Sequence, residues 1–170
     1  MLDGPVLGRL LLTVGTLLFA GVFYALMLKG WRSRQRRQAD LPAPPVASGT
    51  GRVVVAGIPG LFVGTTSAAD WLDRIAVHHL SDRATAELVV SDDGVHVDRE
   101  GLPELYLPFT SITRVDIEQS LAGKVVSGGM LVLTWTLGAR TLASAFRATD
   151  SAAHARLRDA ITSLLPVETA

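Results

Sequence analysis

The sequence predicts a membrane-crossing helix followed by a mainly-β domain, about seven antiparallel strands closed into a small barrel and capped by a C-terminal α-helix. Three observations predict it. Residues Leu10 to Leu28 form an unbroken apolar run, residues 52–148 alternate in hydrophobicity between closely spaced turn signals, and residues 150–165 change to helical spacing. With about 50 of the 170 residues in anchor and linker, the remainder suits one domain able to bury its own core.

The apolar run, LLLTVGTLLFAGVFYALML, contains no charge and no Pro, and only Thr13, Thr16 and Tyr24 interrupt it. Nineteen residues at 1.5 Å each span ~28 Å, close to the ~30 Å hydrocarbon core of a bilayer. It shows no polar face, and its threonines can return their hydroxyls to the backbone one turn earlier. The flanks orient it. Lys29, Arg32, Arg34, Arg36 and Arg37 follow the run, whereas Asp3 and Arg9 precede it, so residues 1–9 are expected outside and the domain in the cytoplasm, at the inner membrane. Tyr24 and Trp31 suit the inner interface, and the basic cluster suits anionic lipid at ~1 kcal/mol per residue. A cleaved secretory signal is the competing reading. Against it stand the length of the run, the lack of an Ala-x-Ala-like site after it, and basic charge that follows rather than precedes it.

Net charge is zero, but residues 1–50 hold six Lys/Arg against two Asp/Glu, and residues 51–170 hold ten against fourteen. The globular part is therefore mildly acidic, which argues against a nucleic-acid partner. Cysteine is absent, which excludes thiol chemistry and disulfide stapling.

Residues 29–51 join a basic segment to ADLPAPPVASGTG, a Pro/Gly stretch with little to bury that reads as a tether. The domain is expected over 52–165, with a tail at 166–170. Its first β-rich piece, Arg52–Ala56, breaks at Gly57–Gly60 before a second, Leu61–Thr66. Ala68–Ala76 reads as a short helix with Trp71, Leu72 and Ile75 on one face. Thr85–Val90 and Val95–Asp98 flank Ser91-Asp92-Asp93-Gly94 as a hairpin. Glu104–Leu107 and Arg114–Gln119 follow, the latter with Val115 and Ile117 inward. Ser120–Gly129 reads as a glycine loop. Met130–Leu137 sets Leu131, Leu133, Trp135 and Leu137 on one face, and Gly138-Ala139 turns the chain into Arg140–Arg147. Asp150 suits an N-cap for a helix carrying Ala153, Leu157, Ile161, Leu164 and Leu165 before Pro166.

Seven short strands and a capping helix resemble the pleckstrin-homology-like (PH-like) superfold. Leu105-Tyr106-Leu107-Pro108-Phe109-Thr110-Ser111-Ile112-Thr113-Arg114-Val115 is similar to a run of bacterial PH-like domains. Val63-Gly64-Thr65-Thr66, Trp71-Leu72-Asp73-Arg74 and Ala122-Gly123-Lys124-Val125-Val126 resemble a mostly uncharacterised family of actinobacterial single-span membrane proteins with a PH-like domain behind an N-terminal anchor. The likeness covers roughly residues 53–164. It implies a PH-like barrel and a binding role more than an activity.

No constellation of residues points to catalysis. His78-His79 lacks the spacing of a metal site, no Gly-x-Ser-x-Gly frames a serine, and Asp92-Asp93 reads as turn chemistry. Gly123-Lys124 lacks the remaining residues of a phosphate-binding loop. No cofactor or metal is expected. Asp70, Trp71, Asp73, Arg74 and Lys124 are candidates for contacting a partner. The acidic Asp92-Asp93 loop argues against lipid headgroups, which would need basic residues there. The expected function is a non-enzymatic, membrane-anchored interaction module that recruits or scaffolds a protein partner. Lipid-headgroup binding and an accessory role in a transport or export complex are the alternatives, and an enzyme is the least favoured.

Overall fold

The structure, a computed structural model, describes residues 4–47, 49, 51–121 and 124–166. The chain divides into two compact units, residues 1–39 and 40–170. The first is a single 34-residue helix, α1 (Gly4–Arg37). Its segment Gly8–Ser33 is long and apolar enough to cross a membrane, and none of that segment is buried in protein. Thr13 Oγ1 donates to the Arg9 carbonyl at 2.9 Å and Thr16 Oγ1 to the Leu12 carbonyl at 2.8 Å. Neither hydroxyl is therefore left without a hydrogen bond on this apolar helix.

The second unit is built from β1 (Val53–Ser67), β2 (Ala84–Ser91), β3 (Gly94–Arg99), β4 (Leu105–Pro108), β5 (Ile112–Leu121), β6 (Lys124–Leu137), β7 (Arg140–Ala148) and α2 (Ala153–Leu164). The strands form one antiparallel sheet in the order β4-β3-β2-β1-β7-β6-β5. This corrects the closed barrel: the sheet is open, with β4 and β5 as its two edges. Closure would need a β4–β5 ladder. β4 has only four residues and ends at Pro108, which has no N–H to donate, and a tight turn follows in which Ser111 N donates back to the Pro108 carbonyl at 2.9 Å.

β1 explains how one sheet folds around a core. It is a single 15-residue strand, not the two pieces expected, and its first part pairs with β2 while its last part pairs with β7. The Gly57–Gly60 break survives only as register irregularities between Val53 and Ile58. A further shift falls between Phe62 and Gly64. Gly64 has a φ of +128°, and a Cβ there would lie 3.1 Å from the Ser81 carbonyl oxygen, so glycine serves both the bulge and the close approach.

The core gathers Phe62, Leu88, Leu107, Leu131, Leu133, Trp135, Leu142 and Phe146 from the sheet, with Leu157 and Ile161 from α2 laid over it. Trp135 is fully buried, and its Nε1 donates to Ser144 Oγ at 2.9 Å, which is in turn 2.7 Å from Thr65 Oγ1. Met130, Val132 and Ala145 form a second small cluster, so β6 is buried on both faces where alternation suggested one. β5 and β6 extend into the expected glycine loop, with strand assigned to Leu121 and from Lys124. α2 begins at Ala153 with Ala152 as its N-cap; Asp150 lies earlier, its Oδ1 accepting from Ala152 N at 3.0 Å. Leu41, within the stretch read as a tether, is 4% exposed and packs in the core. Its carbonyl accepts from His78 Nε2 at 2.8 Å, and Asp40 pairs with Arg140 at 3.0 Å.

Candidate functional site

The candidate partner-binding residues Asp70, Trp71, Asp73 and Arg74 fall in one loop, 68–83, between β1 and β2. The loop contains turns and no helix, which corrects the short helix expected over Ala68–Ala76. The cause is local. Asp70 Oδ1 accepts from Leu72 N at 2.9 Å, and this side-chain turn competes with the helical alternative. The Asp73 carbonyl is taken by Ser67 N at 2.8 Å, and Arg74 makes an isolated bridge with Thr66. Ile75 and Leu80 go into the core, with Ile75 N donating to Thr65 O at 3.1 Å and Thr65 N to Leu80 O at 2.7 Å. Trp71 and Leu72, expected to pack beside Ile75, instead stand at the apex, 45% and 63% exposed.

The rest of the loop is held as firmly. His78 and His79 both have a φ of 56°, a left-handed corner that aims His78 at the Leu41 carbonyl and His79 Nδ1 at Asp82 Oδ2, 2.8 Å away. Arg99 reaches in from β3. It is 2% exposed, its Nη1 donates to the His79 carbonyl at 2.6 Å, and its Nε and Nη2 both donate to the Pro103 carbonyl at 3.0 and 2.7 Å. The guanidinium also lies 5.1 Å from the Phe62 ring centroid. Burial pulls its pKa down and the charge of Asp82 opposes that pull. Nothing local in the sequence marks Arg99, a charged residue at the end of a strand, as buried.

A second polar group surrounds the β2–β3 turn. His96 Nδ1 lies 2.8 Å from Glu104 Oε1; a carboxylate only accepts, so Nδ1 donates this bond. Its Nε2 lies 2.8 Å from Ser91 Oγ and 3.4 Å from Asp93 Oδ1. Ser91, His96 and Glu104 thus have the connectivity of a nucleophile, base and orienter, beside a groove of about 420 Å³ that all three help to line. The chemistry does not follow. Ser91 is 2% exposed, and its single hydrogen is directed to the Asp93 carboxylate, with the Gly94 carbonyl 3.0 Å away, so toward His96 Nε2 its oxygen accepts. An attacking hydroxyl must be reachable and free to pass its proton to the base. This one ties the hairpin together. The Ser91 hydrogen bond holds the Asp93 carboxyl below its usual range, burial works against it, and His96 adds to the lowering. Tyr106 stacks at 4.8 Å on His96, and its hydroxyl donates to the Asp93 carbonyl; burial, then the Asp93 charge, raise its pKa. Among the described residues, no group of three or more His, Asp or Glu is placed to hold a metal ion.

The membrane-interface candidates lie on α1. Tyr24, Lys29, Trp31, Arg32 and Arg36 are exposed along it. The side chains of Arg34, Arg37 and Lys124 lie outside the described residues, although Lys124 opens β6. The structure therefore brings four of the five partner-binding candidates together in one loop.

A seven-stranded antiparallel sheet bent around a core and covered by a C-terminal helix is the architecture of a PH-like domain, here with no side-chain arrangement suited to catalysis among the described residues. The chain belongs to the bacterial PH domain-like family, whose pattern it matches over residues 38–162. No curated protein matches it.

Proposed function

We propose that the chain is a single-pass inner-membrane protein, with its N-terminus outside and its domain in the cytoplasm, and that the domain recruits a protein partner to the membrane. One observation carries the reading. β5, ten residues long, pairs with β6 on one side and, among the described residues, with no strand on the other, while α2 packs against it more than against the other strands. An edge of this length offers a row of backbone donors and acceptors to an added strand. The half-buried Val115 and Ile117 alternate along it with exposed Arg114 and Glu118, so an arriving strand would find apolar and charged contacts in turn. The opposite edge, β4, has only four residues and offers far less.

Headgroup binding is less well supported. The β2–β3 turn carries Asp92 and Asp93 where a phosphate binder would need basic residues. Phosphate would be repelled. The test places a photo-crosslinking residue at Thr113 or Glu118 of β5, and at Glu100 as a comparison, in the full chain in native membranes. A discrete protein adduct from the β5 positions, absent from Glu100 and from unirradiated membranes, supports the reading. Equal labelling at all three sites, or none, refutes it.

A further inference from the structure

The geometry points to a second membrane contact: we propose that Trp71 and Leu72 insert into the interfacial layer of the bilayer that α1 spans. The proposal goes beyond partner recruitment and rests only on α1 being in a membrane.

The first observation is the pair itself. Two adjacent large apolar side chains stand exposed at the tip of a loop whose backbone is already fixed. Ser67 N to Asp73 O, Asp73 N to Asp70 O and Leu72 N to Asp70 Oδ1 close it at 2.8, 3.0 and 2.9 Å. Little further ordering is needed for the tip to bind, and a preorganised tip keeps more of its gain on burial.

The second observation is position. Ala68 N donates to the Thr141 carbonyl at 3.0 Å, which ties the loop to the start of β7. At that same end Arg140 pairs with Asp40, and a Cβ on Gly138 would meet Pro42 at 3.1 Å. The tip thus belongs to the end of the domain at which the chain arrives from α1. Asp40 follows Arg37 by three positions, a reach of at most about 11 Å.

Chemistry selects lipid over protein. Two side chains fall well short of the ~800 Å² per partner that a stable protein interface buries. They suffice as a second contact because the anchor already supplies the affinity and holds the tip at high local concentration. A Trp ring, apolar in body with one N–H, favours headgroup depth. Asp40, Asp70 and Asp73 accompany Arg74 and Arg140, so the end has no excess of positive charge and the contact should not depend on anionic lipid.

The chain has three tryptophans, Trp31, Trp71 and the buried Trp135, which makes the test direct. The full chain is reconstituted into phosphatidylcholine vesicles with or without brominated acyl chains, as Trp31→Phe, Trp71→Phe and the double variant. Trp135 emission in the double variant reports an intact fold and sets the background. Trp71→Phe reports Trp31 and hence the anchor; Trp31→Phe reports Trp71. Bromine-dependent loss of emission in both single variants, absent from the double, supports the proposal. Loss in Trp71→Phe but not in Trp31→Phe overturns it while leaving the anchor standing. Loss in neither overturns both. A Trp31→Phe emission that is blue-shifted but unquenched also overturns it, in favour of a protein contact.

Discussion

Replacing Arg99 with Met should loosen the whole 68–83 loop although Arg99 lies outside it. The guanidinium places three N–H groups on two carbonyl oxygens, those of His79 and Pro103, from a nearly fully buried position. Met keeps much of the volume over Phe62 but donates nothing. Two orphaned acceptors at ~1–3 kcal/mol each are set against relief from desolvating a buried charge, which leaves a net loss of about 2–4 kcal/mol. Against a domain stability of roughly 5–15 kcal/mol that is a large fraction. Arg99→Lys should recover less than half, because an ammonium on a flexible stem cannot fork to both carbonyls. The assay is urea unfolding of the full chain in detergent, followed by the buried Trp135, together with amide hydrogen exchange. Exchange should quicken at Thr65 and Ile75, whose N–H groups bond across the loop base. A variant within ~0.5 kcal/mol of the parent, with unchanged exchange at those amides, would refute the reasoning.

Further outcomes follow from the same structure. Ser144→Ala strips the acceptor from Trp135 Nε1 and the partner from Thr65 Oγ1, both buried, and should cost about 1–3 kcal/mol in denaturant melts, with a shifted Trp135 spectrum. Gly64→Ala puts a side chain on a backbone at φ +128° and against Ser81 O, so it should destabilise by more than ~1 kcal/mol, measured by thermal melting. The Asp93 carboxyl has a folded pKa below its unfolded value of ~3.9, so its contribution is present in full above that value and lost as pH falls through the lower one. Asp93→Asn should therefore flatten the fall of stability below about pH 4 and cost stability at neutral pH; an unchanged acid slope would contradict the Ser91–Asp93–His96 assignment. Tyr106 has a raised pKa, so its phenol should ionise later than ordinary tyrosine when absorbance is followed through alkaline pH, and Asp93→Asn should bring that titration only part of the way back, because burial, the larger cause, remains.

How far the chain could be read in advance differs by element. The β2–β3 hairpin was plain, because Val95 and Val97 alternate with polar residues next to a Gly-closed turn, and both signals are local. The face of β6 with Leu131, Leu133 and Trp135 was legible for the same reason, and so was the apolar side of α2. Trp71 and Leu72 were not. Their helical spacing with Ile75 was real, but the Asp70 side chain takes the Leu72 N–H that a helix from Ala68 would have given to the Ala68 carbonyl. The Ser91–His96–Glu104 chain was hidden because its members come from two strands and a connecting segment, and no spacing records which strands pair.

The sequence by itself determined the apolar length of α1, the core faces of β3 and β6, the β2–β3 turn and the mild acidity of the domain. The first three depend on residues within a few positions of one another, and the last on composition alone. Only the tertiary structure decided that the sheet stays open at β4 and β5, that Leu41 and Arg99 are buried, and that Trp71 and Leu72 face out. The physical reason is common to all four: whether a group is covered, paired or left exposed depends on segments distant in sequence, and burial is a property of what those segments bring alongside.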